Sequence, residues 1–185
     1  MKPLHLHSVE HIDKLVWPQE TGVSLKTSAL SIFTDFSVHK PLIIESKVKA
    51  VDLEQLMKKA HVRLKIVVDE NRKFLGVISL SDLSEEKILR KVDRSTKRED
   101  LLVEEFMHPR DKLKCFDYKE LTRASVGDVL ETQRSNHQQH CLVVDKSNHE
   151  IRGLISARDV ARLLKGAVDI EQHISFEELF DEIYA

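Results

Sequence analysis

Two seven-residue stretches carry the side chains that could do chemistry. Gly76-Val77-Ile78-Ser79-Leu80-Ser81-Asp82 ends an apolar run in a hydroxyl followed three residues later by a carboxylate, and Gly153-Leu154-Ile155-Ser156-Ala157-Arg158-Asp159 does so again. Gly, Ser and Asp match across the two at one constant offset. Taken singly, Ser-x-x-Asp is what a helix start uses: the hydroxyl accepts from an orphan N–H and the acid sits at the positive end of the dipole. The same geometry suits a ligand. A strand ending in a tight turn aims several N–H groups and a hydroxyl at one point, which fits a phosphate. An acid one turn into the helix can accept from the two hydroxyls of a ribose. Gly76 and Gly153 would let a ligand or a neighbouring backbone approach closely.

The elements that position these turns also occur twice. Leu64–Val68 and Phe74–Ile78 read as strands joined by the polar turn Glu70–Lys73, as do His140–Asp145 and Ile151–Ile155 around Lys146–His149. Before each pair lies a strand, Pro41–Glu45 or Leu113–Phe116. A helix follows that strand, with Ala50, Leu53, Leu56, Met57 and Ala60 on its apolar face in the first copy. In the second copy Val126, Val129, Leu130 and Gln133 recur at helical spacing behind Ser125 as N-cap. Ser79 opens the closing helix of the first copy, which runs on past Ser84. In the second, Val160, Leu163 and Leu164 face inward and Gly166 ends the helix. Segments around Phe33 and at Val103–Pro109 lead into the two copies; the first reads as a short helix or turn over Ser31–Phe36. The order is strand, helix, strand, strand, helix, twice over. We divide the chain into an N-terminal arm (1–29) packing on the repeats, a first repeat (30–92), a charged linker (93–102), a second repeat (103–167) and an acidic tail (168–185).

That tail carries a capping box, Ser175 with Glu178, and an apolar stripe of Phe176, Leu179, Phe180 and Ile183, suited to docking on these repeats, a second copy or another protein. In the arm, His5, His7 and His11 lie close together, but no carboxylate or thiol cluster supports a metal, and a solvated segment is the expectation.

Composition narrows the classes. With 29 basic and 31 acidic residues and a net charge of −2, nothing suggests a nucleic-acid surface or membrane adhesion. No segment approaches the roughly twenty apolar residues that span a bilayer, and the N-terminus lacks a signal-peptide core. Cys115 and Cys141, each beside apolar neighbours, read as buried thiols, in keeping with a reducing cytoplasm. No nucleophile, base or metal spacing argues for an enzyme.

The paired Gly-h-h-Ser-x-x-Asp turns (h apolar), on repeats of this order, resemble the tandem CBS-domain module over residues 30 to 166, in its stand-alone bacterial-type form. The resemblance implies an α/β fold of two β-α-β-β-α repeats packed by their sheets about a pseudo-twofold axis, pairing with a second copy into a disc-like homodimer. It implies two clefts holding AMP, ADP, ATP or S-adenosylmethionine as a regulatory ligand, with no cofactor required. On that basis Asp82 and Asp159 meet ribose, and Ser79, Ser81 and Ser156 lie near phosphate. Arg63 and His140, just ahead of the Val-Val-Asp strands, and Arg158 supply the basic groups; phosphate favours the second turn, which has more of them. The implied function is ligand sensing with output through a partner protein, since no effector domain is attached. The competing expectation is a dimerisation or interaction module that binds no small molecule.

Overall fold

In the computed structural model, residues 22–93 and 95–165 are described, together with positions 6, 8, 10, 14 and 15. His5, His7, His11, Gly166 and the helix expected over Ser175–Tyr184 lie outside the described residues.

Among the described residues, eight strands form two four-stranded sheets. In chain order they are β1 (Thr34–Asp35), β2 (Ile43–Glu45), β3 (Leu64–Val68), β4 (Phe74–Ser79), β5 (His108–Pro109), β6 (Cys115–Asp117), β7 (His140–Asp145) and β8 (Glu150–Ser156). The helices are α1 (Ala50–Lys59), α2 (Glu85–Leu89), α3 (Tyr118–Leu121), α4 (Val126–Ser135) and α5 (Ala157–Lys165). One sheet has the order β2-β3-β4-β5 and the other β6-β7-β8-β1. In each, the first two strands are parallel around a helical crossover, α1 in the first sheet and α3 with α4 in the second, and the rest are antiparallel. The fold is thus α/β, with the β-α-β-β-α order present twice.

The short strand ahead of each repeat hydrogen-bonds to the other repeat's sheet. Thr34 and Asp35 pair with Leu154 and Gly153, and His108 and Pro109 pair with Val77 and Gly76. The two glycines are required here by backbone rather than by ligand. A Cβ on Gly76 would lie 2.2 Å from the carbonyl oxygen of His108, and one on Gly153 would lie 2.2 Å from that of Thr34. The cores are shared in the same way: Ala29 and Ile32 join the core of α4, α5 and β8, while Leu101, Val103 and Phe106 join that of α1 and β4. From the arm, the carbonyls of Thr27 and Leu25 receive the N–H groups of Val126 and Gly127. Between the sheets, Ile66, Val68 and Val77 of one pack with Leu142 of the other, flanked by Leu64, Phe74, Ile151 and Leu154. This apolar layer brings the starts of β3 and β7 near one another.

The repetition extends to turn chemistry. Asp69 accepts from the N–H groups of Asn71 and Lys73, and Asp145 from Ser147. Arg72 and His149 take positive φ in those turns, as His61 and His137 do after α1 and α4.

Several expectations need correction. The segment Ser31–Phe36 is neither a helix nor a turn throughout: a 3-10 turn, Ala29–Ile32, gives way to β1. The helix opened by Ser79 is broken. One 3-10 turn, Leu80–Leu83, ends at an extended Ser84, and α2 starts afresh with Glu85 and Glu86 in its first turn. On α1, Leu56 is exposed, whereas Glu54 is buried and paired with Lys58. On α5, Val160, Ala161 and Leu164 form the inward stripe and Leu163, one position beyond it, is exposed. Cys141 is buried, but Cys115, on the edge strand β6, is exposed.

Candidate functional site

The first turn closes on itself. Asp82 is 4 % exposed and both its carboxylate oxygens are engaged. Oδ2 accepts from the Ser79 N–H (2.9 Å) and the Ser79 hydroxyl (2.5 Å), and Oδ1 from Lys87 Nζ (2.8 Å). His108 Nε2 stands 3.1 Å from Oδ1. Since the Ser79 hydroxyl donates to Asp82, it accepts from Ser81, 2.8 Å away. Burial pushes the Asp82 carboxyl up. The Lys87 ammonium, the two Ser79 bonds and nearby His108 outweigh that and leave it below the ordinary carboxylate range.

The second turn is open. The Asp159 side chain is 56 % exposed and meets Arg162 at 2.6 Å. Its N–H lies 3.4 Å from the Ser156 hydroxyl, which is buried. Directly across the ladder from Ser156 is His140, half-buried at the start of β7. Burial pushes its imidazole below the usual range, the positive charge of Arg63 acts the same way, and Asp159 opposes both. Arg158 is lowered by burial first and then by Arg63. Arg63, although it belongs to the first repeat, thus acts electrostatically on both His140 and Arg158. Its carbonyl meanwhile accepts the Leu80 N–H, which fixes it beside the first turn. The residues expected from the sequence thus fall into two groups: Ser79, Ser81 and Asp82 in a saturated turn, and Arg63, His140, Ser156, Arg158 and Asp159 around an exposed one.

The CBS domain profile matches residues 34–88 and 121–166, more than half of the chain. The chain belongs to the CBS domain family. Solved CBS-type structures share its fold. An uncharacterised conserved protein from Pyrococcus horikoshii aligns at 18 % identity and a TM-score of 0.57, over 80 % of this chain and 98 % of that one. The CBS domain of a bacterial CNNM/CorC family Mg²⁺ transporter, in complex with ATP, aligns at 19 % identity and 0.55, over 78 % and 91 %. CBSX2 in complex with AMP aligns at 18 % and 0.53, over 74 % and 94 %. No curated protein matches the chain. No helix among the described residues is long and apolar enough to cross a membrane.

Within this CBS pair, sequence reasoning missed Lys87 and His108. Their signal lay in the repeat itself. The offset that carries Asp82 to Asp159 carries Lys87 to Leu164, and the β4–β5 and β8–β1 pairings set His108 opposite Thr34 in role. A basic residue at each of two structurally equivalent positions is thus peculiar to the first turn.

Proposed function

We propose that this CBS pair is a regulatory ligand-sensing module that takes an adenine nucleotide or another adenosyl ligand, works as a pair with a second copy, and passes the signal to a partner protein. The observation that carries the reading is the exposed Asp159 carboxylate, which follows Arg158 directly and lies on the turn whose Ser156 pairs across the ladder with His140. In this reading Asp159 releases Arg162 and accepts the ribose hydroxyls. Arg63 and Arg158 neutralise phosphate, with the Ser156 hydroxyl and His140 lining the approach. AMP and ATP on two CBS-type structures of the same fold support the choice of ligand class. The reading is regulatory rather than catalytic because Asp82 and Asp159 are each engaged by a cation within a few residues of their own turn, Lys87 and Arg162, rather than poised as an acid–base pair. Ligand shifts the pair only by its differential affinity for two arrangements of the repeats.

A thermal-shift panel of AMP, ADP, ATP and S-adenosylmethionine tests this. A ligand at about a hundred times its Kd adds roughly 2.7 kcal/mol to the native state, so one compound should raise the midpoint by several degrees, and Asp159→Asn should abolish the rise. No shift with any of them at millimolar concentration overturns the reading.

A further inference from the structure

We propose that the Asp82 turn is a self-occupied site, latched by Lys87 and His108, so that the chain takes one adenosyl ligand and takes it at the Asp159 turn. The ligand half of this inference rests on the function proposed above; the latch half rests on the geometry of Asp82 alone.

Two turns of the same sequence motif have opposite states. Asp159 is 56 % exposed, and its ion pair among the described residues is to a side chain itself 65 % exposed, an arrangement of little net worth that a ligand can displace. Asp82 has a 6 % exposed side chain, and four groups already converge on its two oxygens. A ribose could accept the place of Lys87 and His108 only by removing an ammonium from a buried carboxylate and offering neutral hydroxyls instead. The Lys87 and His108 side chains are themselves 49 % and 58 % exposed, but the carboxylate they hold is buried, and leaving it without a charged partner is unfavourable. The Ser79 N–H and hydroxyl, the two groups a phosphate would need, are turned onto Asp82 as well. The latch also spans the repeats: Lys87 comes from α2, and His108 comes from β5, which leads into the second repeat. It therefore fixes β5 against the first sheet and leaves the Asp159 side as the responsive half. The positions equivalent to Lys87 and His108 around Asp159 hold Leu164 and Thr34, which supply no cation.

Calorimetric titration with AMP and ATP, alongside ligand-free thermal unfolding, separates the two halves. One equivalent per chain, weakened at least tenfold in Asp159→Asn, supports the single site. Two equivalents, or one retained in Asp159→Asn, overturns it. The latch is read without ligand: Lys87→Met should lower the midpoint by several degrees, and the exposed control Lys59→Met should not. Lys87→Met and Asp82→Asn together should lose no more than the worse single variant. If Asp82→Asn does not fold, the comparison of Lys87→Met with Lys59→Met decides. Equal midpoints in those two variants, or strictly additive losses, overturn the latch. If wild-type protein binds no adenosyl compound, the adenosyl reading fails, while the unfolding data still judge the latch.

Discussion

Arg152 grips Asp35 with a two-pronged ion pair, Nε to Oδ1 at 3.0 Å and Nη2 to Oδ2 at 2.8 Å, across 117 residues of sequence. The guanidinium also reaches the Ser37 hydroxyl and lies 5.1 Å from the centre of the Tyr118 ring. It thereby fastens the first repeat's leading strand to the second repeat's sheet. Its hydrogen bond from Arg152, more than any other influence, holds the Asp35 carboxyl down at about 2, against an ordinary 3.8. A carboxyl depressed on folding stabilises fully above its unfolded value and loses that contribution as pH falls through the folded one. Wild-type stability should therefore decline between about pH 4 and pH 2, and Asp35→Asn should be less stable at neutral pH with a shallower decline over that window. Arg152→Lys keeps the charge but loses the fork and the ring contact, so it should behave like Asp35→Asn. Thermal midpoints measured from pH 2 to pH 7 check this; identical pH profiles for wild type and Asp35→Asn would refute it.

His61 and His137 occupy the left-handed position after α1 and α4, at φ 52° and 51°. Both helices end in the same pair of bonds: His61 N–H to Lys58 and Val62 N–H to Met57, His137 N–H to Arg134 and Gln138 N–H to Gln133. Glycine is the residue this position favours. Left-handed backbone costs an ordinary residue about 1–2 kcal/mol, and glycine's extra freedom in the unfolded chain returns about 0.4–1 kcal/mol of that. His61→Gly and His137→Gly should each stabilise by roughly 0.5–1 kcal/mol, and the gains should add because the sites lie on separate helices. Urea denaturation measures it, and a loss in either variant counts against the strain argument.

Much of this architecture was legible because local patterns agreed with one another. Leu64–Val68 and His140–Asp145 occupy the expected strands to the residue, since a β-branched run bounded by an Asp-led turn leaves the chain few alternatives. What could not be read were relations between distant segments. Nothing local in Thr34-Asp35 or His108-Pro109 shows that each pairs with the other repeat's sheet. Nor does Lys87, inside a run of mixed charges, show that it folds back on Asp82. The motif itself was visible, but whether its acid stays open depends on residues five and twenty-six positions further on.

Gln133 lets the repeat test its own core. It lies on α4 where α1 has Met57, and both are fully buried. Its Nε2 reaches the Ile155 carbonyl only at 3.5 Å, and its Oε1 has no hydrogen-bond partner among the described residues. The neighbouring Cys141 thiol is at best a weak donor. Burial pushes that thiol up to about 11, and the Gln133 amide only partly offsets this. A buried acceptor left unsatisfied costs about 1–3 kcal/mol, whereas methionine fills a similar volume without one. Gln133→Met should therefore stabilise by about 1 kcal/mol, raising the midpoint of unfolding, while the reciprocal Met57→Gln should destabilise by at least as much. If Gln133→Met instead lost stability, the amide would be making a bond worth more than the burial of its free oxygen costs, and Cys141→Ala would then have to reproduce that loss.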